Sequence, residues 1–429
     1  MRSEEQPIGR AVPAAAAGGE VSGGGGAALF PLTPHASPLT SPPSRLTAPP
    51  PLGLYIHFPW CVRKCPYCDF NSHALEGAGG APEKEYVAAL LADLEHALPL
   101  VWGRKVQSVF IGGGTPSLLS GGALNELLCG VRALLPLEPA AEITLEANPG
   151  TAEAGRFVEF RAVGVNRLSL GIQSFNSTHL EALGRIHDGG EARRAAALAL
   201  ANFDNVNFDL MYGLPGQSLE DALADVRQAI ALGPQHISAY HLTIEPNTLF
   251  HHRPPPLPDD ETAAEMQAAI ERELAAAGYE HYETSAFARR GHACRHNLNY
   301  WLFGDYLGIG AGAHGKLSAH DRIVRQVRHR HPRAYLEHAL QGRPVQEEHE
   351  VAARDLGFEF MMNALRLSGG FHPGLFRERT GLPVTEVAGT LKEAEQRGLI
   401  ERGPQLVRPT ELGRRFLNDL LQMFLPERD

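Results

Sequence analysis

The sequence predicts an α/β fold, a partial (β/α)6 barrel, followed by a small, mostly helical C-terminal domain. Six short apolar runs suited to buried strands alternate with stretches of helical spacing. This alternation is typical of parallel strands joined by right-handed crossovers, in a partial barrel or an open sheet. Glycine-rich and polar motifs follow the runs, at the strand ends where such folds bind ligands.

The individual elements follow from the apolar periodicity along the chain. In the first helical stretch, Tyr86, Leu90 and Leu94 recur on one face. The predicted strands are residues 52–58, 106–112, 142–147, 167–172, 206–211 and 236–242. The predicted helices are residues 83–98, 122–134, 152–162, 190–201, 218–232 and 260–277.

The chain divides into three parts by composition and pattern. Residues 1–50 are rich in alanine, glycine, proline and serine, so they are predicted to form a disordered tail without signal-peptide or transit-peptide features. Residues 51–346 are predicted to form a core domain with a C-terminal extension. Residues 347–429 have the order helix, helix, short hairpin, which is typical of a winged-helix-like domain. Its mixed charges favour protein docking or a lid role over DNA binding.

Composition argues against several classes of function. The 429 residues carry a formal net charge of −10, whereas general nucleic-acid binders usually have a basic surface. No apolar run approaches the ~20 residues of a membrane-spanning helix, so no membrane insertion is expected. Three of the five cysteines fall within eight residues. In a cytoplasmic protein, which we expect this to be, such clustering indicates metal binding rather than disulfide bonds.

The three clustered cysteines have the spacing C-x3-C-x2-C and are Cys61, Cys65 and Cys68. Thiolates are the usual ligands of iron–sulfur clusters, and three of them leave one iron of a [4Fe–4S] cluster open. A zinc ion is the alternative, since His57 or His73 could supply a fourth ligand; incidental cysteines are another. The position after the first predicted strand, followed by the aromatic Tyr67 and Phe70, favours the cluster.

A resemblance to a known family begins in this region and covers roughly residues 52–425. It rests first on the runs Tyr55-Ile56-His57-Phe58-Pro59-Trp60-Cys61 and Cys65-Pro66-Tyr67-Cys68-Asp69-Phe70. The chain resembles the radical S-adenosylmethionine (SAM) family that contains oxygen-independent coproporphyrinogen III oxidases and their HemW-type haem-chaperone relatives. The resemblance implies a radical-SAM barrel with a [4Fe–4S] cluster on the three cysteines and SAM at the open iron. The radical chemistry would belong to the cofactor.

The resemblance also implies a set of SAM-binding residues at the strand ends. Taken alone, three glycines after a strand more often form a tight turn, and Glu146 could be a helix-capping or loop carboxylate. Within this family the glycines match the SAM-binding turn, and Arg185 would pair with the SAM carboxylate. The implied SAM residues are Tyr55, Tyr67, Gly113, Gly114, Thr115, Glu146, Gln173, Arg185 and Asp209.

Several further residues have more than one interpretation. The H-N-x-x-Y-W motif that begins at His296 resembles one of the haem-chaperone branch, so His296 is a candidate haem ligand; a structural, hydrogen-bonded histidine is the alternative. Cys294 could attach to a porphyrin vinyl group, although the chain has no C-x-x-C-H motif there. Cys129 is predicted to be buried and inert. The basic stretch 322–333 could pair with porphyrin propionates or form a solvated face.

Two functions compete, an oxygen-independent coproporphyrinogen III oxidase and a haem chaperone; another radical-SAM activity is a third alternative. The oxidases resemble C-x3-C-x2-C-x-C, whereas this chain has Phe70 at the last position. The chain therefore follows the chaperone branch, for which the resemblance implies haem binding and delivery of haem to respiratory proteins, without coproporphyrinogen oxidase activity. In the oxidase alternative, His57 would be a proton-transfer residue. Homodimer formation and peripheral membrane association through client proteins stay open.

Overall fold

The computed structural model describes residues 46–75, 80–150 and 155–426. Residues 1–45 of the predicted tail and the first part of the predicted helix 152–162 lie outside these ranges. The Leu46 N–H donates to the carbonyl of His320 at 3.0 Å, and the Leu46 side chain is buried. The segment that leads into the first strand is therefore held against the core domain.

Twelve strands of the described residues form one sheet. Together with two short pairs, the strands in chain order are β1 (Leu52–Phe58), β2 (Trp60–Cys61), β3 (His73–Ala74), β4 (Val106–Gly113), β5 (Leu137–Ala147), β6 (Arg167–Gln173), β7 (Val206–Tyr212), β8 (His236–His241), β9 (Glu280–Glu283), β10 (Ala286–Ala288), β11 (Asp305–Ile309), β12 (His314–Ser318), β13 (Ile323–Arg328), β14 (Val345–Glu350), β15 (Ile400–Arg402) and β16 (Val407–Pro409). The order across the sheet is β14-β13-β12-β11-β1-β4-β5-β6-β7-β8-β10-β9. The two separate pairs are β2 with β3 and β15 with β16.

The six predicted strands are confirmed as β1 and β4 to β8, which run parallel and lie side by side in chain order. Strand β11 extends this parallel set on the other side of β1. Strands β12 to β14 then continue antiparallel, and β9 and β10 form the opposite edge. Within the described residues the sheet keeps two edges and is thus a partial barrel rather than a closed one.

The helices connect the strands and cover the sheet. In chain order they are α1 (Glu83–Val101), α2 (Gly121–Leu134), α3 (Phe157–Ala162), α4 (Ser177–Ala182), α5 (Gly189–Asn202), α6 (Leu219–Leu232), α7 (Leu249–His252), α8 (Asp260–Ala276), α9 (Arg295–Trp301), α10 (Pro332–Leu340), α11 (Ala353–Ala364), α12 (Gly374–Thr380), α13 (Ala388–Gln396), α14 (Glu411–Arg415) and α15 (Leu417–Gln422). None of the helices in the described ranges has the length and apolar character that crossing a membrane requires.

The two faces of the central parallel strands differ in chemistry. Leu54, Ile56 and Phe58 of β1 join the main hydrophobic core on the face covered by α1 and α2. Tyr55 and His57, between them in sequence, lie on the opposite face because side chains alternate along a strand. We call this second face the inner face. It is polar, buried, and packed against α9.

The C-terminal helices and the β15–β16 hairpin form a second hydrophobic core. Phe360 lies at its centre, with ring centroids 5.1 Å from Phe371 and 5.2 Å from Phe376. Phe303, which follows α9, belongs to the same cluster. The C-terminal domain is therefore anchored next to the helix that covers the inner face.

One prediction about an individual residue is wrong, and one of the two interpretations of the basic stretch holds only in part. Cys129 is exposed rather than buried, because it faces outward on α2. The basic stretch does not form a solvated face throughout, since Arg325 pairs with Glu359 at 2.7 Å and Arg328 pairs with Asp93 at 3.0 Å. Both arginines lie on β13, whose side chains are buried against neighbouring elements.

Candidate functional site

The three predicted cluster ligands lie in a loop that begins where β1 ends. Cys61 belongs to β2, whose pairing with β3 closes the loop. Inside the loop the Cys68 N–H donates to the Cys65 carbonyl at 3.1 Å, which makes a tight turn between these residues. All three thiols are free, and the Cys68 thiol lies 3.5 Å from the Ser72 hydroxyl.

The cysteine loop is held in place by an asparagine that the sequence analysis did not single out. The Asn71 side-chain amide donates to the carbonyls of Ala311 at 2.9 Å and Arg330 at 2.8 Å. The Asn71 carbonyl lies 3.0 Å from His57 Nε2. Asn71 therefore fixes the loop to β1 on one side and to the β11–β13 region on the other.

The surroundings of the thiols determine when they become thiolates, the form that binds a cluster. Burial raises the pKa of Cys61 to about 11 and also raises the pKa of Cys68. Thiols of this kind are held as thiolates next to a strong positive charge such as a metal centre. Among the described residues, no group of three or more histidine, cysteine or acidic side chains is arranged to hold a single metal ion. In an iron–sulfur cluster each thiolate binds a different iron, so the sulfur atoms need not converge on one point.

The glycine-rich turn after β4 packs directly under the cysteine loop. The Gly114 N–H donates to the Phe58 carbonyl at 2.7 Å, and the Thr115 N–H donates to the Trp60 carbonyl at 2.8 Å. Gly113 has a φ of 119°, which strongly favours glycine. A Cβ atom on Gly114 would lie 2.5 Å from the Trp60 carbonyl oxygen. The turn therefore requires glycine for close backbone contact with the cysteine loop.

Replacing Gly114 by alanine is expected to lower the free energy of unfolding by about 1–3 kcal/mol, because the added Cβ clashes with backbone that cannot move freely. Gly122→Ala is the matched control. Nothing lies within 4 Å of a Cβ added at Gly122, which is on α2. Alanine there should change stability by at most about 1 kcal/mol, in the stabilising direction. Urea unfolding of both variants measures the difference; equal stabilities would contradict the close contact at Gly114.

A polar cluster lies beside Cys65. Arg185 Nη1 donates to the Cys65 thiol at 3.7 Å, and Arg185 Nη2 donates to the Asn148 side chain and to the Gly171 carbonyl. The Asn148 amide donates to the Thr115 hydroxyl at 2.9 Å. A small open cleft is lined by Cys65, Thr115, Asn148 and Arg185, and Val62 and Ile186 also line it. Among these, Asn148 was missed, although it follows Glu146 by two residues at the same strand end.

Glu146 and Asp209 form a second part of the site, on the inner face. Glu146 Oε2 accepts the Gly113 N–H at 3.1 Å. Asp209 accepts hydrogen bonds from Ser169 at 3.0 Å and from the Asn207 amide at 2.8 Å. Burial, with a further contribution from Asp209, raises the pKa of Glu146 to about 8, and burial raises the pKa of Asp209 as well. Both carboxyl groups accept hydrogen bonds. Because burial raises their pKa values, the charge of each depends on the polar and charged groups around it.

Gln173 ends β6 in an unusual conformation. Its φ of 66° is in the left-handed region, and the pairing of β6 with β7 shifts register just before it. A Cβ on the neighbouring Gly171 would lie 3.0 Å from Asn148 Oδ1 and 3.1 Å from Gln173 Nε2. The strained turn therefore places the Gln173 amide beside the polar cluster, an arrangement typical of functional sites.

The tyrosine and histidine at the end of β1 interact with each other. The Tyr55 hydroxyl lies 2.9 Å from His57 Nδ1. Burial lowers the pKa of His57 to about 4, so the ring is neutral at physiological pH. Tyr67, in the cysteine loop, is buried in a small apolar cluster with Leu183 and Met211.

His296 lies away from the cysteines, against the starts of β1 and β4. Its Nδ1 is 3.0 Å from the Ser108 hydroxyl, and its Nε2 is 3.1 Å from the Tyr300 hydroxyl. The ring stacks on Phe110 with centroids 5.1 Å apart, and burial lowers the pKa of His296 to about 3. Both ring nitrogens therefore have partners, and iron binding by Nε2 would require Tyr300 to move.

Most of the sequence-predicted SAM residues thus gather at the carboxyl ends of β1 and β4 to β7, next to the cysteine loop. His296 lies nearer the amino ends of these strands, against Ser108 and Phe110, with its ring centroid 6.3 Å from that of Tyr55. The role of each residue toward a cofactor stays a prediction at this point.

Comparison with known families and proteins gives consistent results. Residues 55–229 match the radical SAM superfamily, and residues 351–416 match the HemN C-terminal domain. The haem chaperone HemW of Escherichia coli is 53% identical over 380 residues, which are 88% of this chain and 99% of the relative. HemW of Bacillus subtilis is 34% identical over 87% of this chain and 99% of the relative.

A solved structure shares the fold. Coproporphyrinogen III oxidase (HemN) from Escherichia coli, a radical SAM enzyme, superimposes with a TM-score of 0.74. The match covers 88% of this chain and 90% of the oxidase chain at 22% identity. At this identity the similarity concerns the fold alone.

Proposed function

The chain belongs to the radical-SAM family of HemW-type haem chaperones, and we propose on that basis that it binds haem and delivers it to respiratory proteins. The observation that carries the choice between chaperone and oxidase is Phe70, which occupies the position of the oxidases' additional cysteine. The related chaperones match over nearly their whole length. The cytoplasm is the proposed location.

In this proposal Cys61, Cys65 and Cys68 hold a [4Fe–4S] cluster, and SAM lies in the adjoining polar cleft. When bound, the cluster and SAM supply one-electron chemistry. The chain's own residues bind and orient SAM. Arg185, which donates a hydrogen bond to the Asn148 side chain, would pair with the SAM carboxylate.

The remaining proposed contacts lie deeper on the inner face. Glu146 and Asp209 would accept hydrogen bonds from the hydroxyl groups of SAM. The glycine turn at Gly113 and Gly114 packs closely against the cysteine loop and would position its backbone beside the proposed SAM site. Thr115, Gln173, Tyr55 and Tyr67 would complete the walls of the SAM site.

The function is tested with anaerobically reconstituted protein. We expect it to bind haem and, with SAM and reductant present, not to convert coproporphyrinogen III to protoporphyrinogen IX. Haem binding is followed by absorbance titration, and conversion by separation of the porphyrin products. Robust conversion would overturn the chaperone assignment in favour of the oxidase.

The same titration tests the haem candidate. His296→Gln keeps a polar group near Ser108 and Tyr300 but removes the imidazole, so a ligand role predicts weaker haem binding and an altered haem spectrum. Unchanged affinity and spectrum would mean that His296 is structural, as its two hydrogen bonds within the fold allow.

A further inference from the structure

A buried arginine on the inner face has no role in the site described so far. Arg167 begins β6, and its side chain is only 2% exposed. Within the described residues its Nε has no hydrogen-bond partner. Burying a guanidinium with an unpaired Nε is costly, so the cation in this position calls for an explanation in terms of its surroundings.

The register of the sheet places Arg167 next to the proposed SAM carboxylates. Ser169, two residues along β6 and on the same face, is the register partner of Glu146 on β5. Ser169 also donates to Asp209 at 3.0 Å. Arg167 therefore lies one pleat, about 7 Å along the strand, below the pair formed by Glu146 and Asp209.

Another acidic group near Arg167, Glu142, accepts hydrogen bonds at the start of α9. Glu142 Oε1 accepts the Arg295 N–H at 3.0 Å, the His296 N–H at 3.4 Å and the Cys294 thiol at 3.5 Å. Glu142 thus holds the start of α9 and also interacts with Arg167, so the guanidinium lies between Glu142 on one side and the pair Glu146 and Asp209 on the other.

We propose that Arg167 is a positioning residue of the SAM site, whose buried guanidinium supplies the positive charge that keeps Glu146 and Asp209 as hydrogen-bond acceptors for SAM. The inference rests on the proposed SAM contacts of these two carboxylates. Arg167 itself does not touch the ligand.

The electrostatics agree with this placement. Arg167 lowers the pKa of both Glu146 and Asp209 and thereby opposes the larger effect of burial, which raises them. Besides Glu142 of β5, the titratable groups that interact with Arg167, Glu146 or Asp209 are Tyr55 of β1, His236 and Tyr240 of β8, Tyr282 of β9, and Cys294 and His296 at α9. Glu142 lies on the other side of Arg167 from Glu146. The other neighbours are neutral at physiological pH, so they do not replace the charge of Arg167.

The test compares Arg167→Gln with Arg167→Lys in the reconstituted holoprotein, measuring SAM affinity by equilibrium dialysis between about pH 6 and about pH 9. Affinity should rise with pH as the carboxyl pair ionises. In Arg167→Gln this rise should move up by about one pH unit, so that SAM binds about tenfold more weakly near pH 7. Arg167→Lys retains the charge and should follow the wild type.

Arg104→Gln is the matched control, because Arg104 is also a largely buried arginine but pairs with Asp305, away from the cleft. Its pH profile should equal that of the wild type. Equal losses in Arg167→Gln and Arg167→Lys, or a loss that does not depend on pH, would show that shape rather than charge matters and would overturn the inference. Should Arg167→Gln fail to fold, Arg167→Lys is the decisive variant. A shift of its pH profile away from that of the wild type would then overturn the inference, because lysine retains the charge.

Glu146→Gln separates this inference from the proposed SAM site. If Glu146→Gln weakens SAM binding while Arg167→Gln does not, only the role of Arg167 is wrong. If Glu146→Gln binds SAM as the wild type does, the assignment of Glu146 as a SAM contact fails, and the inference about Arg167 fails with it.

Discussion

Replacing Cys61, Cys65 and Cys68 together by alanine is expected to abolish the brown absorbance of the reconstituted protein and to reduce its bound iron from about four atoms per chain to nearly none. The three thiols lie in one loop, closed by the β2–β3 pairing. No other cysteine lies in that loop, since Cys129 is on α2 and Cys294 is buried beside α9. Loss of the three thiolates would therefore remove all the ligands proposed for the cluster.

Cys129→Ala is the matched control for this prediction. Cys129 is an exposed, free thiol on the outer side of α2. This variant should keep full iron content and absorbance, measured by iron analysis and visible spectroscopy after anaerobic reconstitution. Retention of iron by the triple variant would mean that the cluster is bound elsewhere on the chain.

Replacing Asp93 by alanine is expected to lower the free energy of unfolding by about 3–5 kcal/mol, because it leaves the buried charge of Arg328 without its partner. Both side chains are fully buried and 3.0 Å apart. Asp93 also accepts the Tyr335 hydroxyl at 2.9 Å and the Gly310 N–H at 3.2 Å. Burial raises the pKa of Asp93 even beside Arg328, so the pair carries a desolvation cost. The expected loss of unfolding free energy therefore comes from leaving the buried charge of Arg328 unpaired.

The stability of this variant is measured by urea unfolding. Asp204→Ala removes a partner of comparable geometry, the 2.6 Å pair with Arg161, but both of its side chains are exposed. That control should lose less than about 1 kcal/mol, since solvent screens exposed ion pairs. Similar losses in the two variants would show that burial does not control the strength of these pairs.

The Asp93 network also supports Gly310, beside Ala311, so cluster content should fall in Asp93→Ala as the cysteine loop loses its anchor.

The sequence was a good guide to the parallel strands, and it placed the three proposed cluster ligands in one loop after the first strand. The strands β1 and β4 to β8 are short apolar runs whose identity depends on local composition, and the structure forms them within a residue or two of the expected bounds, except at the longer start of β5. The cysteine spacing and Phe70 are likewise local features. These determined the family and the choice between its branches.

Residues 278–346 have a mixed pattern in the sequence. Strands β9 to β13 and the start of β14 form there, mostly as antiparallel pairs of consecutive strands, and the pairing of β11 with the distant β1 joins β11 to β14 to the parallel strands. Two arginines of β13 look like surface residues in the sequence because arginine is usually exposed. Their acidic partners, Asp93 and Glu359, lie on distant helices, so only the fold shows that they are buried.

By itself the sequence determined which apolar runs form the central sheet and which family the chain belongs to, and it proposed the three cysteines as the cluster ligands. The tertiary structure alone decided which distant residues hold the cysteine loop and surround the buried carboxyl groups. Asn71 reaches Ala311 and Arg330, more than 200 residues away in sequence, and Arg167 comes to lie below Glu146 only through strand register. The physical reason is that apolar periodicity reports which side chains leave water, whereas the partners of buried polar groups depend on which strands become neighbours.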